Sequence, residues 1–252
     1  MARYELLNNV THKDLRVVMR FGPEFGDQVG MVAAFPTEYA ELQREYPIFL
    51  RRDEAGACHS VALLGFEPHE NLFLDGTRWN ASYLPGVVAK GPFLIGFQQQ
   101  HLDGQPVREP VIHVDMEHPR IGDGDGERVF LAHGGHSPYL EHIIDVLRGI
   151  HDGVDAGGAM FDAFDALGLI QPVALEAQLD EAHAVSVTGL HAIDRGRLAA
   201  LDAAALHRLH RAGYLEGAYL LLSSQHNVRR LMAEKQRRLR QAAGMAAAGQ
   251  AA

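Results

Sequence analysis

One cysteine and one tryptophan occur in 252 residues, and the first of these scarcities already excludes chemistry. With Cys58 alone, no intrachain disulfide forms and no Cys-x-x-Cys metal or redox motif exists. The count suits a reducing compartment, so a cytoplasmic location is expected, with export lacking a cleaved N-terminal signal left open. Cys58 falls where a predicted hairpin turns and has no predictable histidine partner, which fits a small half-buried side chain better than a nucleophile. Positive charge is also short: 23 Lys and Arg stand against 32 Asp and Glu, a net charge of −9. General nucleic-acid binding rests on neutralising phosphates, so that class is not expected. No apolar run approaches the roughly 18 residues of a membrane span, and residues 1–9 hold no secretory apolar core. Gly-x-Ser-x-Gly, a Walker phosphate loop and a Gly-x-Gly-x-x-Gly following a strand are all missing.

What is present is an ordinary globular composition, 47% hydrophobic and 22% charged, long enough to bury a sizeable core. Glu45–Leu50 and Val61–Phe66 are apolar runs around the polar turn Arg51–Gly56, which predicts a β-hairpin. Arg16–Phe21 alternates with Val17, Met19 and Phe21 on one face, and Met31–Phe35 is a second short strand ended by Pro36. Thr37 is placed to cap a short helix through Tyr39, Leu42 and Arg44, and Pro85 to break a helical turn between Tyr83 and Val88. Pro92–Phe97 and Val111–Met116 predict two paired strands, with a turn at Asp103-Gly104.

Beyond the glycine- and aspartate-rich loop at 121–126 the periodicity changes. Ser137-Pro138 opens a helix with Leu140, Ile143, Ile144, Leu147 and Ile150 on one stripe, continued by Met160, Phe161, Phe164 and Leu167. Val173–Leu175 and Ala184–Val187 are short strand candidates. Asp194 caps a helix carrying Leu198, Leu201, Leu206 and Leu209, which Gly213 ends, and a last helix from about Glu216 carries Tyr219, Leu222, Val228 and Leu231. The expectation is an α+β protein, with short mostly antiparallel strands in the first half and helices dominating the second. It comprises one domain over 1–234, or two packed lobes of about 1–132 and 133–234, with a disordered basic and alanine-rich tail at 235–252.

Two constellations carry possible chemistry. Tyr46, Trp79 and Tyr83 lie near Pro47, Pro85 and Asn71 and form a candidate apolar groove for a peptide or small ligand, weighed against simple core packing. The fifteen histidines include His113-Val114-Asp115, His133, His136 and His142. An His-x-Asp pair with a distal histidine is the ligand set of a non-haem Fe(II) oxygenase, which makes His113, Asp115 and one of His133, His136 or His142 the alternative metal site. Chance His-x-Asp pairs are common in so histidine-rich a chain, so the first expectation is no cofactor. Asp123–Glu127 lacks the spacing of a calcium loop, Asp115 and Glu117 are a weak acid/base pair, and the basic run Arg229–Arg240 reads as a solvated helix face.

The order of short segments resembles the bacterial SapC family. It runs through His12–Val17, Tyr46-Pro47-Ile48-Phe49, Ala62–Phe66, Glu70–Leu74, Trp79, Tyr83-Leu84-Pro85, Pro92-Phe93, Val114-Asp115, Pro119-Arg120 and Gly126–Phe130. It continues through Gly189–Asp194, Leu198, Leu201 and Tyr214–Ser223, so that the similarity covers about Leu6 to Leu231. The resemblance implies an association with surface-layer genes and with neighbours encoding TonB-dependent receptors and halogenase-like flavoproteins, hence an accessory or binding role in envelope or natural-product systems. It implies a protein or peptide partner and carries no catalytic residues over. The oxygenase is the alternative.

Overall fold

Short apolar runs between polar turns become antiparallel strands, and the stripes of the second half become helices. The computed structural model describes residues 2–102, 105–122, 124–180 and 183–250. The turn expected at Asp103-Gly104 therefore lies outside the described residues, as does Asp123 of the acidic loop. In chain order the first half forms β1 (Tyr4–Leu6), β2 (Arg16–Val17), β3 (Met31–Ala34), α1 (Tyr39–Leu42), β4 (Ile48–Arg52) and β5 (Cys58–Leu63). It continues with β6 (Leu74–Asp75), β7 (Arg78–Trp79), α2 (Gly86–Ala89), β8 (Phe93–Leu102), β9 (Gln105–Asp115), β10 (Ile121–Gly122) and β11 (Glu127–Arg128). The second half holds α3 (Pro138–Ala166), β12 (Ile170–Gln178), β13 (Ala184–Ile193), α4 (Arg195–Ala199), α5 (Ala203–Arg211), α6 (Tyr214–Ser224) and α7 (Asn227–Gln250).

The predicted hairpin is the centre of the main sheet, whose order is β12-β13-β4-β5-β3. β4 and β5 run antiparallel from Ile48 opposite Ala62 to Arg52 opposite Cys58, and β13 joins β4 through His191 opposite Leu50. A second sheet has the order β1-β9-β8, and two small sheets are built from two-residue strands. The second-half hairpin β12–β13 is longer than the two short strands read from sequence: β13 carries Gly189 and His191 through as strand residues, and β12 pairs with it from Ile170 to Gln178.

Capping explains the helix boundaries. Ser137 Oγ accepts from Leu140 N at the start of α3, Asp194 accepts from Arg197 N at α4, and Asp202 accepts from Ala205 N at α5. Asp202 is why the single helix expected over 194–213 is two: a new cap interrupts it. The last helix likewise breaks after Ser224, where the buried Asn227 amide donates to Gln43 O at 2.8 Å. The segment from residue 235, expected to be disordered, is helical to Gln250, since Ala, Arg and Gln are strong helix formers and the helix is anchored on the sheet. Lys235 reaches Glu67 at 2.7 Å, and Arg238 donates to the carbonyls of Leu72 and Leu74 at 2.8 and 2.7 Å. The strand expected over 16–21 is only two residues long and Met19 is exposed, because Val18 N turns to bond Arg120 O.

Buried side chains fall into two clusters that do not divide at residues 132 and 133. One combines the β3–β5 region, including Tyr39, Tyr46 and Leu63, with Phe161 and Phe164 of α3 and with α6. The other combines Val17, Phe93 and Val114 with Leu140, Ile143 and Leu147 of α3. The 29-residue α3, about 43 Å long, thus serves both clusters with successive stretches of one stripe. Its Gly153 lets the 35–37 turn rest against the helix: a Cβ there would stand 2.6 Å from Phe35 Cβ and 2.7 Å from Thr37 Oγ1. Thr37, expected as a helix cap, instead donates its hydroxyl to Gly149 O at 2.8 Å.

Candidate functional site

Glu38 is the side chain to which several elements converge. Phe35 is extended, Pro36 fixes φ for the following 3-10 turn, and Glu38 at the third turn position reaches back to accept from Phe35 N at 3.1 Å. Its other oxygen, Oε2, accepts from Gly86 N at 2.8 Å and from the Tyr83 hydroxyl at 3.0 Å. Gly86 eases this approach, since a Cβ there would lie a tight 3.3 Å from Glu38 Oε2. Glu38 is 7% exposed, and among the described residues no Lys or Arg forms an ion pair with it. Burial raises its pKa above the ordinary carboxylate value, and the hydrogen bonds from Gly86, Tyr83 and Phe35 offset only part of that.

The three aromatics read from the sequence stand behind this carboxylate. Trp79 Nε1 donates to the Tyr46 hydroxyl at 2.7 Å, and Tyr46 donates in turn to Tyr83 O at 2.5 Å. Phe73 packs against both, 4.4 Å from Tyr46 and 6.3 Å from Trp79 between ring centres. Tyr46 is fully buried, so its hydroxyl is spent inside the protein. Burial raises the pKa of the Tyr46 and Tyr83 hydroxyls, with Glu38 adding to the effect on Tyr83, so both remain proton donors. The structure therefore brings Tyr46, Trp79 and Tyr83 together: the Trp79–Tyr46 relay ends on the Tyr83 carbonyl, and the separate Tyr83 hydroxyl reaches Glu38 at a cleft.

The cleft, of about 250 Å³, lies between the 35–38 turn, α2 and α3. Glu38, Tyr83 and Gly86 line it together with the apolar Phe35, Val146 and Ile150. Thr37, His142 and Asp145 are the exposed polar residues of its wall, and among the described residues its lining includes no Lys or Arg. Asp145 is also paired with Arg148 at 3.0 Å. A site with a buried carboxylate, a second carboxylate outside and apolar walls suits a cationic group on an apolar stem. Sequence reasoning missed Glu38. The available signal was the Phe35-to-Glu38 spacing around Pro36, a turn in which the third residue reaches back to the first.

A second buried polar centre has another character. Arg120 binds both oxygens of Asp27 at 2.8 and 2.7 Å and also donates to Arg20 O at 2.5 Å. Its guanidinium lies 4.9 Å from the ring centres of both Phe21 and Phe25. Asp27 accepts further from Gly22 N at 2.9 Å, and Asn71 donates to the Asp27 carbonyl. Arg120 N donates to His118 Nδ1 at 3.1 Å. Burial, reinforced by the Arg120 charge, lowers the His118 pKa and keeps that nitrogen an acceptor. This centre locks the 18–27 segment to the chain after β9.

The histidine constellation is spread out. His113 faces Leu94 across β8–β9, and its ring covers Gly96, where a Cβ would come within 2.7 Å of it. Asp115 accepts from Arg3 N at 2.9 Å and Glu117 N at 3.1 Å. His133 and His142 are exposed, and His136 is exposed beside Phe130 at 6.3 Å. Among the described residues, no three His, Cys, Asp or Glu side chains are grouped so as to hold a metal ion. Cys58 is half-buried and burial pushes its thiol up to about 11, away from thiolate reactivity. Among the described residues no helix is long and apolar enough to cross a membrane.

Comparison with known proteins settles the family. The SapC family model matches residues 7–231, nearly the whole chain. The chain belongs to the SapC family. No curated protein and no solved structure matches it, so SapC membership is what the comparisons establish. The matched span includes both Glu38 with its aromatic chain and the Asp27–Arg120 centre, and it ends within α7 at Leu231.

Proposed function

We propose that this SapC-family chain is an accessory binding protein that holds a partner polypeptide by a lysine or arginine side chain inserted into the Glu38 cleft. The observation that carries the proposal is a buried carboxylate that accepts three hydrogen bonds, has no cationic partner among the described residues, and lines an open cleft. Burying a carboxylate without a counter-charge is unfavourable, and an incoming ammonium or guanidinium would relieve that cost. The apolar walls from Phe35, Val146 and Ile150 would take the methylene stem. The surface-layer association implied by the family resemblance fits a role in holding another protein.

The test is calorimetric titration with short capped peptides that differ only in a central lysine, arginine or norleucine. The lysine and arginine peptides are expected to bind, and Glu38→Gln to weaken them by about tenfold or more, the loss of one charge-assisted contact. Equal binding of the norleucine peptide, or unchanged affinity in Glu38→Gln, would contradict the proposal.

A further inference from the structure

Every sheet ends in edge strands whose outward N–H and C=O groups invite pairing, and proteins blunt those edges with short strands, prolines, bulges and charges. The described edges of this protein show such devices repeatedly. β1 has three residues, and β3 has four with α2 packed against it. Along β12, Asp194 N bonds Leu169 O, so ladder alternation turns the backbone nitrogen of position 172 out of the sheet. That residue is Pro172, which has no N–H, and a bulge follows between Val173 and Leu175.

The same parity applies to β9. Asp115 N bonds Pro92 O, so the odd-numbered residues of β9 face β8 and the even-numbered ones face outward. β1 occupies that outer edge as far as Leu7 N to Ile112 O. Past it, the outward positions 110 and 106 are both proline. One long described edge, that of β8, is neither short nor broken by proline, bulge or charge, although α3 packs against the strand with His151 on Phe97. β8 keeps continuous register with β9 through ten pairs, from Phe93 opposite Val114 to Leu102 opposite Gln105. It contains no proline and no Asp, Glu, Lys or Arg. Ile95, Gln99 and His101 direct their backbone groups away from β9, and among the described residues no strand pairs with that side.

We infer that β8 pairs antiparallel with β8 of a second copy, joining two chains through one continuous sheet about a two-fold axis. The absence of charge suits this occupant: in a chain of net charge −9, β8 can lie against itself without like-charge repulsion. The prolines of β9 also select it, because head-to-tail pairing of β8 with β9 would need the edge they close, so growth stops at two.

Sedimentation of the full chain from about 1 to 100 µM tests the inference, since a self-associating species shifts with concentration. A dimer is expected at the upper end. Gln99→Pro removes an outward N–H in the manner of Pro106 and Pro110, and Gln99→Lys puts a positive charge on the β8 edge of each copy. Both are expected to be monomeric over the same range, with unchanged circular dichroism and, at the lowest concentration where wild type is also monomeric, an unchanged melting temperature. If Gln99→Pro fails to fold, Gln99→Lys decides. A wild-type chain that stays monomeric throughout, or a dimer that persists in the folded variants, overturns the inference.

Discussion

Asp27 and Glu38 are buried to the same degree, each 7% exposed, yet the protein completes one and leaves the other open. Asp27 has an arginine whose Nη2 donates to both its oxygens, a backbone donor, and two aromatic rings beside that arginine. Glu38 has two backbone donors and a tyrosine, but no cation among the described residues, and a cleft beside it. A closed ion pair fixes one arrangement of the chain and has little left to offer a ligand. A carboxylate with neutral donors only is held in place while its charge stays unmatched. The difference separates a structural lock from the carboxylate proposed to take a cation, although both are built from the same kind of residue.

The largest expected effect comes from breaking the lock. Arg120→Met should cost about 3–5 kcal/mol in denaturant unfolding, because Asp27 is left buried and unpaired. Adding Asp27→Asn should recover a good part of that loss. If the single replacement costs under about 1 kcal/mol, the ion pair does not hold the 18–27 segment. Glu38→Ala should cost less, about 2–4 kcal/mol, since it orphans the amides of Phe35 and Gly86 without leaving a charge behind.

A pH series sharpens the contrast further. The folded-state pKa of Glu38 is raised above its ordinary value of 4.5, chiefly by burial, so the folded state binds the proton more tightly than the unfolded state. The stabilisation from this group is complete below 4.5 and is lost as pH rises through the folded value. The stability of wild type relative to Glu38→Gln should therefore fall as pH rises above 4.5, and a flat difference would show that Glu38 is not desolvated. Trp79→Phe should have the smallest effect, about 1 kcal/mol, by removing the donor to Tyr46 while keeping the ring stack with Phe73.

Much of the fold was legible because it rests on local chemistry. The β4–β5 hairpin follows from alternation around a polar turn, and Ser137-Pro138 and Asp194 start helices where their side chains meet backbone amides. The sites were less legible because their parts are distant in sequence. Tyr46 and Trp79 stood out as aromatics, but their use of each other's polar atoms depends on how β4 and β7 come together. Arg120 belonged to the family-like segments, whereas nothing near Asp27 indicates its partner 93 residues away. His113-Val114-Asp115 shows the converse: spacing along a strand suggests ligands, while the ring of His113 is engaged over Gly96 and Asp115 accepts backbone amides.

The central claim is that Glu38 receives a cation, and the amide resonances of Gly86 and Phe35, which both bond that carboxylate, report on it directly. In a titration of the full chain with Nα-acetyl-lysine amide, these two resonances should shift and saturate. Nα-acetyl-norleucine amide should leave them in place, and Glu38→Gln should abolish the lysine response. Unmoved Gly86 and Phe35 amides under lysine, or the same shifts with norleucine, would contradict the account.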